Sequence, residues 1–286
     1  MRVALPMVAT VGVVFGIAVV GFGVLAPSSH AKARDRAAHA APPEPDPKPQ
    51  RETETDASSD VCPAGMVLID GAYCPRVEHK CLRWMDPPGR FHEYRCAEYA
   101  SPATCLAPRV HRRFCIDRVE RSEEDTPLPM NRQSWTDSRH ICRAAGARVC
   151  MESEWTFACE GEAIQPYPYG WTREASKCNA DHVDLLVPGH PSRLKDERDP
   201  VGAHPSCRSP FGVLDMAGNV AEWVSVDGRP EGSAVVQKGN WWQPGKHACR
   251  DAQAGHDRFY KGAETGVRCC SVPSPVIRER ITDSGH

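Results

Sequence analysis

Hydrophobic positions along this chain fall into three regimes. From Val3 to Ala26 no residue is charged and most are apolar. At about 1.5 Å of rise per residue, such a run is long enough to cross the hydrocarbon core of a bilayer as a helix. From Ala31 to Asp60 the only apolar side chains besides proline are alanines, and Pro42, Pro43, Pro45, Pro47 and Pro49 are interspersed with charge. That composition predicts an extended, solvated tether with nothing to pack. Beyond Val61, apolar residues recur in short runs broken by Gly, Pro and Cys, the pattern of a loop-rich globule with short elements.

Within the third regime, Met66 to Ile69 reads as a strand, Asp70-Gly71 as a turn and Ala72 to Cys74 as a return strand, with Cys62 and Cys74 bracketing the hairpin. Arg113 to Glu120 gives a second strand, with Phe114 and Ile116 on one face. Between them, residues 75–112 carry Cys81, Cys96 and Cys105 among prolines and arginines and read as an insertion stapled by its own bridges. Ser134 begins a helix: its hydroxyl can accept from early backbone amides, and Asp137 favours the positive helix end. Ile141, Cys142 and Ala145 return to the face of Trp135 and Ser138, and Gly146 supplies the stop. A second helix fits Glu152 to Cys159. Its nearby acids Glu152, Glu154 and Glu160 read as helix-start charges rather than a catalytic pair.

The 286 residues carry 35 basic and 37 acidic side chains, a net charge of -2, so no global basic field marks a nucleic-acid binder. Fourteen cysteines lie between Cys62 and Cys270. None has the two-residue spacing of zinc ribbons or thioredoxin-type sites, so the even count reads as a disulfide framework made in an oxidising space. The neighbours Cys269 and Cys270 are expected to bridge to two different partners, because a bond between adjacent residues strains the backbone. Residues 1–30 then read as a signal anchor or a signal peptide, with Ser29-His30-Ala31 resembling a cleavage site. Lys32, Arg34 and Arg36 after the apolar run favour holding the downstream side inside, and the disulfide pattern outweighs them. The expected location is extracytoplasmic, in the periplasm or cell envelope, with the chain anchored through its N-terminal segment or secreted.

Five ordered motifs carry a resemblance: Phe114-Cys115-Ile116-Asp117-Arg118, Gly146-Ala147-Arg148-Val149-Cys150, Glu152-Ser153-Glu154-Trp155, Pro168-Tyr169-Gly170 and the run from Phe211 to Trp223 containing Gly218-Asn219-Val220-Ala221-Glu222. Lys238-Gly239-Asn240-Trp241-Trp242, Cys249-Arg250 and Gly266-Val267-Arg268-Cys269 complete the series. The set resembles the formylglycine-generating enzyme, or sulfatase-modifying factor, superfamily. The resemblance implies one irregular α+β, C-type-lectin-like domain over 61–271, with low regular secondary structure and a tail at 272–286. It implies a Cys142–Cys269 bridge and places Cys159 and Cys249 among the structural cysteines. It also implies calcium, held by side-chain oxygens of Asp215 and Glu222 with the carbonyls of Gly218 and Val220, a mixture that suits a hard cation. A second calcium site would use Asn179, the Ala180 carbonyl and a later acid such as Asp196.

Oxidase members of that superfamily hold copper(I) between two cysteines five positions apart and oxidise a substrate cysteine to formylglycine; soft thiolates select that ion. Here Cys249 stands at one position and Pro244 at the other. Copper is therefore not expected. His247 offers an imidazole near Cys249, yet a histidine on a solvent-rich turn is ordinarily just hydrated. Met151 and Ala221 also depart from the family's usual threonine and tryptophan. The expectation is a non-oxidising, membrane-tethered binding or scaffold domain for a protein, peptide or glycan. Trp241, Trp242, Arg250 and Tyr260 would line its cleft. The alternative is a true formylglycine-generating oxidase acting on a sulfatase-type cysteine.

Overall fold

The computed structural model describes residues 61–275; the apolar segment, the tether and the end of the tail lie outside the described residues. The elements, in order, are β1 (Met66–Tyr73), β2 (Val77–Glu78), β3 (Cys81–Trp84), β4 (Cys96–Tyr99), β5 (Thr104–Cys105), β6 (Val110–Asp117), α1 (Trp135–Ala144), β7 (Arg148–Val149), α2 (Glu152–Glu160), β8 (Leu186–Val187), β9 (His190–Leu194), β10 (Ala221–Ser225), β11 (Val235–Lys238), β12 (Thr265–Gly266) and β13 (Cys269–Ser271). This is an irregular α+β fold. Short strands and long connections leave much of its order to side-chain bonds and disulfides.

The first sheet runs β1-β6-β13-β7. β1 passes straight through Asp70-Gly71 and pairs antiparallel with β6 along its whole length, from Met66↔Asp117 to Tyr73↔Val110. The expected hairpin turn is therefore absent: β6 supplies the partner strand, and Asp70 ion-pairs with Arg113 and hydrogen-bonds His111 across it. At Gly71 the chain passes the exposed Glu162 carboxylate, which accepts the Ala72 N–H and would lie 2.7 Å from a Cβ. The bracketing cysteines go elsewhere, Cys62 to Cys115 and Cys74 to Cys105. The insertion forms nested hairpins, β2 against β5 and β3 against β4, closed by Cys81–Cys96.

α1 begins at Ser134, whose hydroxyl accepts the Asp137 N–H while the Asp137 carboxylate accepts the Ser134 N–H. It ends as expected at Gly146, which is left-handed at φ 68°. Trp135, Ser138 and Cys142 face the core. α2 has no capping side chain at Met151; the Glu154 carboxylate instead accepts the Met151 N–H and pairs with Arg148. From Ser153 to Glu160 every residue of α2 is buried, so tertiary packing replaces the missing cap. Glu160 proves to be a last-turn residue, wholly buried and bound by Arg250, rather than a helix-start charge.

A second sheet, β11-β10-β12, pairs β10 antiparallel with β11 and parallel with β12. All fourteen cysteines are paired. Cys269 bonds Cys142 and Cys270 bonds Cys150, so the adjacent cysteines do take separate partners. Such a framework belongs to an oxidising compartment. Among the described residues, no helix is long and apolar enough to cross a membrane.

Candidate functional site

The loop expected to hold calcium is a tight, buried turn entering β10. Asp215, Gly218 and Asn219 all have left-handed backbones, which curl the chain until Asn219 N–H reaches the Asn179 carbonyl at 2.8 Å. The two expected sites therefore meet in one cluster. Its centre is a guanidinium: Arg268, fully buried, holds Glu222 through bonds of 2.8–2.9 Å and donates to the carbonyls of Asp117 and Leu214. Trp155 Nε1 donates to the same Glu222 carboxylate. Asp215 accepts from Gly202 N–H, and Asp196 is turned to Arg198.

Sequence reasoning missed a third carboxylate, Glu120. It is buried, accepts from Asn219 Nδ2 and Val220 N–H, and is pushed well above the usual carboxylate range by burial and then by Asp215 and Glu222. Nothing in the local sequence marks it, since an acid just after a strand reads as a surface charge. Asn179 Oδ1 is buried without a partner, but Glu222 is committed to Arg268 and Trp155. The donor set thus does not fit calcium through Glu222, because a side-chain cation already neutralises the acid the ion would need.

At the other signature, Cys249 is fully buried and bonded to Cys159 of α2. His247 is not on a solvated turn. It is 3% exposed, its ring nitrogens face the Gly239 and Gln243 carbonyls at 3.2 and 3.1 Å, and burial followed by Arg173 lowers it to about 4. Both ring nitrogens face backbone carbonyls, and a neutral imidazole can donate to only one of them.

The four residues expected to share a cleft fall into three settings. Trp241 and Trp242 are interior, packed edge-to-face with ring centroids 5.1 Å apart against Val220 and Ala221; the small Ala221 makes room for them. Arg250 lines a polar pocket with Tyr73, Glu152 and Asp227 while gripping Glu160. Burial nevertheless raises Glu160 to about 7. Tyr260 stacks on His256 and donates to Glu264.

A different cavity, about 170 Å³, opens between the turn after β11 and the insertion. Its lining includes Tyr94, Gln237, Asn240, Lys246, Asp251 and Gln253. Asn240, left-handed at φ 59°, is the hub: its Oδ1 accepts from Trp241 N–H and Gln253 Nε2, and its Nδ2 donates to the Lys246 carbonyl. Lys246 Nζ lies 5.0 Å from the Tyr94 ring centre. A smaller recess shares Tyr94, Lys246 and Asp251 and adds an aromatic wall of Trp84, Tyr99 and Tyr167. The arrangement can grip an uncharged polar group against an aromatic face, and the insertion supplies one of its walls.

The profile of the sulfatase-modifying factor enzyme 1-like domain matches residues 90–272. The chain belongs to that family. Curated relatives include the inactive C-alpha-formylglycine-generating enzyme 2 of Mus musculus, 31% identical over 126 residues, covering 42% of this chain and 39% of the relative. The formylglycine-generating enzyme of Streptomyces coelicolor is 27% identical over 159 residues, covering 51% of this chain and 48% of the relative. The sulfatase-modifying-factor-like chain thus spans less than half the length of these relatives. Among solved structures, PvdO from Pseudomonas aeruginosa is similar at a TM-score of 0.46 and 16% identity, over 72% of this chain and 94% of that one.

Proposed function

We propose that this chain is an exported, membrane-tethered binding module that keeps the sulfatase-modifying-factor scaffold without its oxidase chemistry. One observation carries the reading: Cys249, the only cysteine at either signature position, is sealed into the core by Cys159, and Pro244 stands where the second thiol would be. A linear copper(I) dithiolate needs two free thiolates at an accessible point. The likeness to a relative named as inactive supports the same conclusion. The cavity beside Asn240 is then the ligand site, the apolar N-terminal run its anchor, and the disulfides its rigid frame. Calcium has no place in this account through Glu222.

The full chain, supplied with copper(I), oxygen and a cysteine-containing sulfatase-type peptide, should leave the peptide mass unchanged. The assay should be repeated after mild reduction, which would convert Cys159 and Cys249 into neighbouring thiols. Conversion of the peptide thiol to an aldehyde in either arm would establish the oxidase reading instead.

A further inference from the structure

The insertion exposes more apolar surface than its size accounts for. Of the ten large hydrophobic side chains exposed among the described residues, six lie between residues 75 and 112: Leu82, Met85, Phe91, Tyr94, Leu106 and Val110. Those residues make up 38 of the 215 described. Four of the six belong to β3 or to the loop that joins it to β4. Scattered apolar residues on a surface need no explanation, but a group on one hairpin marks an interaction surface.

The loop is pinned. Arg95 forks onto Asp86 through Nε and Nη2 at 3.0 and 2.6 Å, and its backbone N–H donates to the same carboxylate. His92 Nδ1 lies 2.7 Å from the Asp86 carbonyl, and the Trp84 and His92 rings pack with centroids 6.4 Å apart. The Cys81–Cys96 bridge ties the base. Phe91 nevertheless stands 64% exposed just after Pro87-Pro88-Gly89, with the Arg90 guanidinium 5.3 Å from its ring centre. A loop already fixed with an aromatic ring turned outward loses little further freedom on contact.

Charge and chain length point to what this surface meets. The insertion has seven basic and four acidic side chains, whereas the other 248 residues have 28 and 33. It is a basic, apolar pole on an otherwise acidic chain, and one of its acids, Asp86, is already neutralised by Arg95. An anionic bilayer complements both properties, because arginines meet lipid phosphates while aromatic and aliphatic side chains enter the headgroup boundary. On the tethered reading the bilayer is also always near. The uncharged run from Val3 to Ala26 ends 34 residues before Val61, a distance of at most about 120 Å when fully extended.

We propose that the β3–β4 loop, led by Phe91 and flanked by Leu82, Met85, Arg83 and Arg90, docks onto an anionic phospholipid surface and holds the domain against the membrane. The proposal rests on the tethered reading above and deepens it by giving the domain a second, peripheral point of membrane contact.

Hydrogen exchange of the full chain on phosphatidylglycerol vesicles, compared with phosphatidylcholine vesicles, tests it. Backbone amides of residues 85–95 should exchange at least about tenfold more slowly on the anionic lipid. Phe91→Asp, and separately Arg83→Glu combined with Arg90→Glu, should each remove that protection at unchanged melting temperature, since all three side chains are exposed. Free polyglutamate, which offers negative charge without an apolar layer, should not protect the loop. Equal exchange on both lipids, equal protection by polyglutamate, or protection that survives the substitutions would each overturn the proposal. Co-flotation with phosphatidylcholine vesicles reads the tether separately. A chain that floats but shows no lipid-dependent protection loses only this inference; one that does not float loses the tether, and added phosphatidylglycerol vesicles still decide the loop.

Discussion

Two buried polar regions of this molecule solve the same problem in opposite ways. Around Arg268, the Glu222 carboxylate and the carbonyls of Asp117 and Leu214 converge on one buried guanidinium. Around Gln237, carboxamides stand beside Lys246 and Asp251, and both polar atoms of the Gln237 side chain are left without partners. The first region spends its hydrogen-bonding capacity on holding the second sheet against the first. The second keeps capacity in reserve, and that reserve is what a ligand can use. A satisfied charge cluster holds elements together, whereas an unpaired buried carboxamide leaves bonding capacity unused.

The comparison breaks most readily at Arg268. Arg268→Met should cost about 3–5 kcal/mol in urea unfolding, because Glu222 would be left as an uncompensated buried charge. A loss below about 1 kcal/mol would mean that the cluster does not act as a structural ion pair. Next comes the Cys159–Cys249 bridge. Replacing both cysteines together by alanine should lower stability by about 2–4 kcal/mol in urea unfolding. Unchanged stability would reverse their assigned structural role.

The pH dependence sharpens the contrast. Glu160, raised to about 7 by burial, binds a proton in the folded state that the unfolded chain releases near 4.5. Its contribution therefore favours the fold at acid pH and is lost as pH rises from about 4.5 to 7, by up to about 3 kcal/mol. Glu160→Gln should flatten that part of the stability curve; an unchanged slope would assign the titration to Glu120 or Asp117. The smallest expected effect is that of calcium. Melting temperatures in millimolar calcium and in chelator should agree within about 1 °C. Site occupancy at 100 times Kd would add about 2.7 kcal/mol and a rise of several degrees, placing the ion beside Asn179 after all.

Local signals in the sequence were readable where they act locally. Ser134, Asp137 and Gly146 delimit α1 because capping and left-handed stops depend on neighbouring residues. The family motifs marked the β10 turn for the same reason. Asp70-Gly71 misled, since turn chemistry yields when a full-length partner strand is available in β6. Trp241 and Trp242 looked like a cleft because aromatic content says nothing about which side is wet. Gln237, Glu120 and Tyr94 were invisible: their roles arise from contacts between distant segments, and no spacing rule encodes a carboxamide left unpaired.

The vicinal cysteines of β13 have a temporal consequence. Their partners, Cys142 and Cys150, lie 127 and 120 residues earlier, so in oxidative folding those thiols stay open to wrong partners until the last strand of the domain has joined the sheet. Reoxidation of the reduced chain without a thiol-exchange catalyst should therefore give misbridged forms, in which the first sheet cannot close on β13.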